Sequence, residues 1–194
     1  MGKLIVITGL DGSGTTTIAK KLAELDKNSF FIQSPDTFYS SCRNYIDTKV
    51  KEISEIAHYY FYLSNNIFIS EKIKMLKEDF PDHNIYCTRY LIDTVVSHSV
   101  QGLNIDLVYK NELYDILKPD FTFFLKLDEI YRQKRLNNRE EKSTLDRVLD
   151  NESIRNKFLE RFSLYEELIY IDASKSIEDI CKDINFRING GIVL

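Results

Sequence analysis

The sequence predicts an α/β domain in three layers, with a five-stranded parallel sheet flanked by helices on both faces. Apolar segments of strand length alternate along the chain with longer segments of helical periodicity, as expected for strands joined by crossover helices. The first apolar segment, Leu4 to Ile7, has no polar alternation, which is typical of a parallel strand buried on both faces. The length of 194 residues suits a single domain spanning 1–194.

The individual elements follow from apolar periodicity and from the breaks between periodic segments. We expect strands at 3–8, 29–33, 84–88, 121–127 and 168–172. We expect helices at 16–26, 52–78, 91–101, 106–117, 129–162 and 176–187. Pro81 ends the second of these helices and Pro119 the fourth, while 129–162 has a polar interruption near 139–146.

Composition excludes several classes of protein. The net charge of −4 does not favour nonspecific nucleic-acid binding, although a few local cations could still bind a small phosphorylated molecule. The apolar segment at the N-terminus is too short for a signal peptide or a membrane span. The three cysteines lie far apart, which indicates reduced thiols in a cytoplasmic protein. We therefore expect neither a nucleic acid nor a membrane as a partner.

A glycine-rich loop runs from Gly9 to Thr16, after the first predicted strand and before the first predicted helix. Gly9 and Gly14 have the spacing of a phosphate-binding P-loop, and Thr16 stands at its hydroxyl position. Such glycines let backbone N–H groups turn toward a phosphate, and the Thr16 hydroxyl suits a bridging Mg²⁺ ion. The alternative is an ordinary glycine turn before a helix that a threonine caps. The predicted nucleotide-binding residues of the loop are Gly12, Ser13, Gly14, Thr15, Thr16 and Thr17.

Thr15 stands where the usual P-loop pattern has a lysine. Losing one charge-assisted contact costs roughly 1.5–3 kcal/mol. Losing a preorganised donor to the transition state costs about 100- to 1000-fold in rate. Either another cation supplies this charge, or the site binds nucleotide without efficient transfer. Lys20 and Lys21 lie too far along the helix, and we expect them to be surface residues.

Four later segments complete a pattern with the glycine loop. They are Cys-Thr-Arg-Tyr at 87–90, Lys-Pro-Asp-Phe-Thr-Phe-Phe-Leu at 118–125, the arginines between 132 and 147, and Ile-Asp-Ala-Ser at 171–174. In this order they resemble the thymidylate kinase family of nucleoside monophosphate kinases. The resemblance implies a three-layer P-loop NTPase fold, a transferase with ATP and Mg²⁺ as cofactors, and a homodimer.

The resemblance also implies roles for single residues. Asp11 would contact the sugar of the acceptor nucleotide or a water bound to magnesium. Arg89 would hold the acceptor phosphate at the end of the third strand, where open α/β sheets place their ligands. Arg43 would be a second phosphate-binding arginine, with a plain surface arginine as the alternative. Ala173 would lie near the adenine of the donor.

The arginines after 131 resemble the family's lid, which we place at about 132–147. Arg132, Arg135 and Arg139 are three and four residues apart and share one helical face. A closing lid could bring them over the phosphates as arginine fingers of the same chain, so we predict all three to be catalytic together with Arg89. The alternative is a solvated, charged helix.

The acceptor pocket is less well defined by the sequence. Phe61 or Tyr62 could stack on the acceptor base, although aromatic residues at this spacing are often core residues. Gln101 could hydrogen-bond the base, and Asp93 and Ser97 could line the pocket. The histidines lack metal-ligand spacing and are expected to be surface or packing residues: His58, His83 and His98.

Two further positions depart from the family pattern. Thr88 replaces an aspartate, and Asn65-Asn66 stands where the family has an arginine. The leading hypothesis is transfer of the ATP γ-phosphate to a small phosphorylated acceptor, dTMP or a related nucleoside monophosphate. The alternatives are a nucleotide-binding pseudo-kinase or sensor with little activity, and a related small-molecule kinase with a non-nucleotide acceptor.

Overall fold

The computed structural model describes residues 1–137 and 149–191. Its centre is a five-stranded parallel sheet in the order β2-β3-β1-β4-β5. The strands are β1 (Leu4–Thr8), β2 (Ser29–Gln33), β3 (Asn84–Thr88), β4 (Phe121–Lys126) and β5 (Leu168–Asp172). All five predicted strands are therefore confirmed, with bounds that differ by at most one residue from the expected ones.

Helices lie on both faces of the sheet, as predicted. They are α1 (Thr15–Leu25), α2 (Thr37–Tyr45), α3 (Lys51–Ile53), α4 (Glu55–Asp79), α5 (Leu91–Val100), α6 (Glu129–Asn137), α7 (Glu152–Ser163) and α8 (Ile177–Ile188). A π-helical segment at Ile46–Val50 joins α2 to α3. Within the described ranges, no helix is long and apolar enough to cross a membrane.

The two faces of β1 contribute to two separate apolar clusters, because its side chains alternate between them. Ile5 and Ile7 pack with α1 and α8, whereas Leu4 and Val6 pack with α4 and α5. The whole strand is buried. This burial on both faces explains why the strand shows no polar alternation, and it confirms the three-layer arrangement.

All three cysteines have free thiols, as expected. Cys87 on β3 and Cys181 on α8 are buried, and Cys42 on α2 is partly exposed. Burial raises the pKa of both buried thiols, that of Cys181 to about 11. These two residues are therefore packing residues with little thiolate character.

The predicted helix at 106–117 is wrong. The segment forms an irregular loop in which the Asn111 side-chain oxygen accepts hydrogen bonds from the backbone N–H groups of Leu113 and Tyr114, at 2.8 and 3.0 Å. Such side-chain bonds offer the backbone an alternative to the helical pattern. Ile116 is buried against α4 and α5, so the apolar spacing reflects packing of a loop rather than a helix face.

The predicted long helix at 52–78 is interrupted near its start. Ser54 has an extended backbone and caps α4, with its hydroxyl accepting from the N–H of Ala57 at 3.1 Å. Of the predicted apolar stripe, Leu63 and Ile73 are buried, whereas the side chains of its first turns are exposed. The exposed members are Ile53, Ile56 and Tyr60. The stripe therefore faces the sheet only in the later turns.

The charged segment at 129–162 begins and ends in helix, as expected. Its described parts are α6 and α7, and Asn151 caps α7 by accepting from the N–H of Ile154 at 3.2 Å. The polar interruption predicted near 139–146 lies outside the described residues. The same holds for the lid beyond residue 137, including Arg139.

Ile69 and Ile53 provide a matched test of the core. Ile69 is fully buried between α4 and the sheet, whereas Ile53 is 87% exposed. We expect Ile69→Ala to lower the free energy of unfolding by about 2–5 kcal/mol, because it leaves a cavity. Ile53→Ala should change it by less than about 0.5 kcal/mol. Urea denaturation measures both, and equal losses would contradict this packing.

Candidate active site

The glycine loop folds tightly between β1 and α1. Gly14 has a φ of 98°, in the left-handed region that favours glycine, and precedes the first residue of α1. A Cβ atom at Gly9 would lie 2.6 Å from Ser13 Oγ and 2.9 Å from the Leu125 carbonyl oxygen. The loop therefore needs glycine at both positions, as its spacing predicts.

The loop also leaves polar groups available for an anion. Among the described residues, no side chain caps α1, and the buried Ser13 hydroxyl has no hydrogen-bond partner. The first N–H groups of any helix lack intrahelical acceptors, so those of Thr15, Thr16 and Thr17 can face a phosphate. Thr15 itself is buried, while Thr16 and Thr17 are exposed. These features fit phosphate binding.

A preformed metal site is absent from the described part of the chain, where no three acidic, histidine or cysteine side chains cluster suitably. Thr16 nevertheless presents its exposed side chain to the cavity next to the loop. Mg²⁺ usually keeps several waters and binds through substrate phosphates and few protein ligands. The residues present therefore fit a magnesium ion that arrives with a nucleotide.

A cavity of about 520 Å³ opens at the carboxyl ends of β1, β2 and β3. Ligands of open α/β sheets bind at this edge. The cavity extends from Asp11 and Thr16 at the glycine loop to Arg43 on α2 and Gln101 after α5. Its size is in the usual range for a small-molecule site, so one cavity joins the loop to the predicted acceptor residues.

Arg89 lines this cavity and directly follows β3. It has a φ of 57°, uncommon for a residue other than glycine, and its N–H donates to the Ile7 carbonyl at 3.0 Å. Its guanidinium forms ion pairs with Asp11 of the glycine loop and, at 3.4 Å, with Asp93 of α5. These carboxylates from two other elements hold the guanidinium at the cavity wall.

Asp93 is tightly bound in this cluster. Its carboxylate accepts from the Thr8 hydroxyl at 2.5 Å and from the Tyr90 N–H at 3.0 Å. Burial raises the pKa of Asp93, and the positive charge of Arg89 and the Thr8 hydrogen bond oppose this rise. The net effect is a raised pKa, and the donors from Thr8, Tyr90 and Arg89 hold the carboxyl group of Asp93 beside Arg89.

The departures from the family pattern at Thr88 and Asn65 lie at the cavity wall and also make structural hydrogen bonds. Thr88 is buried at the end of β3. Its hydroxyl oxygen accepts a long hydrogen bond, 3.4 Å, from the Ser34 N–H. Asn65 donates to the Ser34 hydroxyl at 3.1 Å and accepts from the Asp36 N–H at 2.9 Å. The buried Asn66 donates to the Thr94 hydroxyl at 2.8 Å. These residues fix the loop after β2 and the packing of α4 on α5.

Arg43 lines the cavity and is bound by a carboxylate that was not predicted from the sequence. Asp47, in the π-helical segment, accepts from Arg43 Nε at 3.0 Å, from the Tyr62 hydroxyl at 2.6 Å and from His58 Nε2 at 3.0 Å. The spacing of Arg43 and Asp47, four residues apart on a helix, was the available signal. Arg43 is thus a partly exposed arginine at the cavity, and its phosphate-binding role stays a prediction.

Tyr62 rather than Phe61 lines the cavity. Phe61 packs against Tyr39, with ring centroids 5.2 Å apart. Gln101 also lines the cavity and donates to the Ser97 carbonyl at 2.9 Å. The Gln101 side-chain oxygen is buried without a partner among the described residues, so it can accept a hydrogen bond from a ligand.

His58 and His98 lie at the cavity and are buried, whereas His83 packs between aromatic rings away from it. All three contact other aromatic rings, which fits the expectation of surface or packing residues, but the burial of His58 and His98 beside the cavity was not predicted. Their positions depend on the meeting of α4 and α5, which sequence spacing does not reveal.

Arg132 is 1% exposed and holds the framework of the site. Its guanidinium donates to the Asp11 carbonyl at 3.3 Å and to the Leu149 carbonyl at 3.1 Å, and it pairs with Glu129 at 2.6 Å. These bonds join α6 to the glycine loop. The catalytic role predicted for Arg132 stays a prediction, and its position favours a structural one.

Arg135 is exposed and lies across the mouth of the glycine loop. It donates to the Ser13 carbonyl and to the Ala173 carbonyl, both at 2.9 Å. Its Nη1 lies 3.3 Å from the position that a Cβ at Gly14 would take. The structure thus brings one lid arginine, the glycine loop and Ala173 together.

The two described arginines of the predicted lid lie in different environments, and Arg132→Met tests whether the buried one is structural. Removing one partner of a buried ion pair costs about 3–5 kcal/mol, so this variant should lose that much unfolding free energy. Lys134→Met, on the exposed side of the same helix, should change it by less than about 0.5 kcal/mol. Chemical denaturation measures both. A stable Arg132→Met variant that has lost only turnover would instead support the catalytic prediction.

The comparisons with known proteins agree with this geometry. The family model described as thymidylate kinase matches residues 7–184. The chain is 28% identical over 184 residues to a probable thymidylate kinase of Methanocaldococcus jannaschii, covering 93% of this chain and 92% of the relative. It is 29% identical over 192 residues to the thymidylate kinase of Plasmodium falciparum, covering 94% and 88%. The solved structure of thymidylate kinase from Candida albicans aligns with a TM-score of 0.73 at 22% identity, covering 97% and 92%. The chain belongs to the thymidylate kinase family.

Proposed function

We propose that this chain transfers the γ-phosphoryl group of ATP to dTMP. The observation that carries the proposal is the single cavity lined by Thr16 of the glycine loop and by the cations Arg43 and Arg89. A donor phosphate and an acceptor phosphate can be brought together in such a cavity. Membership of the thymidylate kinase family supports the same reaction.

On the donor side, the glycine loop would hold the ATP phosphates through its N–H groups. The Thr16 hydroxyl would hold a Mg²⁺ ion that arrives with the nucleotide, and the ion would supply positive charge at the donor phosphates. Ala173, joined to the loop through Arg135, would lie near the adenine. These residues bind and orient the donor.

On the acceptor side, Arg89 and Arg43 would hold the phosphate of dTMP. Tyr62 and the free oxygen of Gln101 lie farther along the same cavity and suit a planar base with an N–H donor. Transfer would occur in line, without a covalent intermediate, through positioning and charge stabilisation.

The charges lost at Thr15 and Thr88 have counterparts in the structure. Arg135 brings a cation to the glycine loop, and Asp93 brings a carboxylate to Arg89. We therefore favour replacement of the lysine by another cation over the pseudo-kinase or sensor. No observation favours a non-nucleotide acceptor.

We also propose a homodimer in the cytoplasm. Helix α4 leaves large apolar side chains exposed, which suits an interface with a second copy. They are Ile56, Tyr60, Phe68 and Met75. Three free thiols suit a reducing compartment.

An ADP-release assay with each nucleoside monophosphate tests the activity, and Arg89→Gln tests the acceptor site. We expect turnover with dTMP and a loss of about 100- to 1000-fold in kcat/KM for Arg89→Gln, because a preorganised cation is removed. Arg187→Gln on α8 removes an arginine that pairs with Asp183 instead, and it should retain activity. ATP binding without turnover of any nucleoside monophosphate would contradict the proposed phosphoryl transfer.

Thr15→Lys and Arg135→Gln test which cation replaces the P-loop lysine. Arg135→Gln should lower kcat about 100-fold, whereas Lys134→Gln on the same helix should not. Thr15→Lys should restore part of the loss in the Arg135→Gln background, because the new ammonium occupies the same loop. Thr15→Lys should not raise the activity of the otherwise unchanged protein, because the new ammonium would be repelled by the Arg135 guanidinium at the same loop. If Thr15→Lys creates activity in an inactive protein, the sensor hypothesis is correct.

A further inference from the structure

Two histidines form a buried pair beside the acceptor residues and have no part in the proposed function. His58 on α4 is 5% exposed and His98 on α5 is 2% exposed. His58 Nδ1 lies 2.8 Å from His98 Nε2, and both side chains line the cavity. The hydrogen bonds at their other nitrogens determine where the ring protons are.

His98 is neutral and carries its proton on Nδ1. That nitrogen lies 2.7 Å from the Thr94 carbonyl oxygen, which can only accept. Burial lowers the pKa of His98 to about 4. Its Nε2 therefore has a free lone pair, and the short contact requires His58 Nδ1 to be the donor.

The second nitrogen of His58 must also carry a proton. His58 Nε2 lies 3.0 Å from Asp47 Oδ1. Burial alone would raise the pKa of Asp47, but the hydrogen bonds from His58 and Tyr62 and the charge of Arg43 outweigh this effect. The net result is a lowered pKa, so Asp47 is an ionised carboxylate. A carboxylate only accepts, and His58 is therefore an imidazolium with both N–H groups donated.

All four ring nitrogens of the pair are thus bound to protein groups. Neither ring can accept a proton from a substrate or donate a hydrogen bond to it without breaking the chain. The pair is therefore not a general base. Its effect on a ligand passes through Asp47.

Asp47 determines how Arg43 faces the cavity. It binds Arg43 through Nε at 3.0 Å, and the Tyr62 hydroxyl interacts with the same guanidinium. Arg43 lines the cavity, so its guanidinium held in this way can bind a phosphate there. The same carboxylate binds the Tyr62 hydroxyl, so it joins the phosphate and base ends of the pocket.

The charges of the cluster also depend on His58. With His58 protonated, two cations share the single negative charge of Asp47, which leaves one net positive charge for an anionic acceptor. Without it, Arg43 and Asp47 would neutralise each other. The π-helical segment at Ile46–Val50 places Asp47 between them, and such segments are frequent at functional sites.

We propose that His58, as an imidazolium anchored on His98, is a positioning residue that fixes Asp47 and through it orients Arg43 toward the acceptor phosphate. This inference rests on the proposed function, because it assigns an acceptor with a phosphate to this pocket. The ligand that it assigns is a nucleoside monophosphate. The phosphate dianion of this ligand would be attracted by the net positive charge of Arg43, His58 and Asp47.

The protonation pattern can be measured without any substrate. In ¹⁵N-labelled protein, long-range ¹H–¹⁵N correlation should show His98 as the neutral Nδ1–H tautomer and His58 with both nitrogens protonated. In Asp47→Asn, His58 should become neutral, because its anionic partner is gone. A neutral His58 in the unchanged protein would overturn the proposal.

The positioning role is measured by equilibrium binding. His58→Phe retains an aromatic ring but loses both N–H groups, and we expect it to weaken dTMP binding about tenfold while ATP-analogue binding changes less than about twofold. His83→Phe is the matched control, since His83 stacks on Phe30 and Phe80 away from the site. In an Arg43→Met background, His58→Phe should weaken dTMP binding by less than about twofold, because the effect of His58 passes through Arg43.

The outcomes separate the two proposals. Equal weakening of dTMP and ATP binding, or an undiminished effect in the Arg43→Met background, would show that His58 only supports the fold and would overturn the inference. If the unchanged protein binds no dTMP, the proposed function fails and the acceptor role with it, while the nitrogen spectra still show whether the imidazolium exists. Should His58→Phe not fold, Asp47→Asn replaces it, with the same tenfold loss expected for dTMP.

Discussion

The guanidinium of Arg89 lies between two carboxylates that come from different elements, Asp11 in the glycine loop and Asp93 on α5. Because Arg89 itself follows β3, this cluster ties three parts of the chain to one point at the edge of the sheet. The left-handed backbone of Arg89 turns the chain from the strand into α5 at the same place. The cavity, the glycine loop and the start of α5 therefore depend on one ionic cluster.

Two of the three charged positions that depart from the family pattern have a neighbouring group that can take over the charge. A P-loop lysine and a carboxylate before the arginine are replaced by Thr15 and Thr88, each without charge. Arg135 and Asp93 bring a cation and an anion to the same surroundings from other elements. Coulomb attraction depends on the distance between the charges and on the dielectric, not on which element carries the charge. Such an exchange can therefore preserve the electrostatic field that a bound phosphate would experience.

Local patterns allowed the sheet and the glycine loop to be predicted from the sequence. A strand buried on both faces is uniformly apolar, and a loop of fixed glycine spacing before a helix is a contiguous signal, so β1 and Gly9–Thr16 needed no tertiary information. The segment 106–117 has similar apolar spacing, but tertiary packing and the side chain of Asn111 give it a loop. Periodicity shows which residues are buried, not which structure buries them.

The acceptor side was harder to predict because its contacts join distant residues. Asp47 is eleven residues from His58, and His58 is forty residues from His98. Their meeting requires the π-helical turn and the packing of α4 on α5, neither of which has a sequence period. Histidine spacing within the sequence could exclude a metal site but could not reveal a pair made by two helices.

Asp11 connects the two ends of the site through different atoms. Its carboxylate binds Arg89, and its carbonyl oxygen accepts from Arg132, which is buried on α6. A shift of α6 would therefore strain the loop residue that pairs with Arg89. Arg135, one turn later on the same helix, is exposed and binds the loop from outside. Arg132 thus ties the start of the predicted lid to the glycine loop.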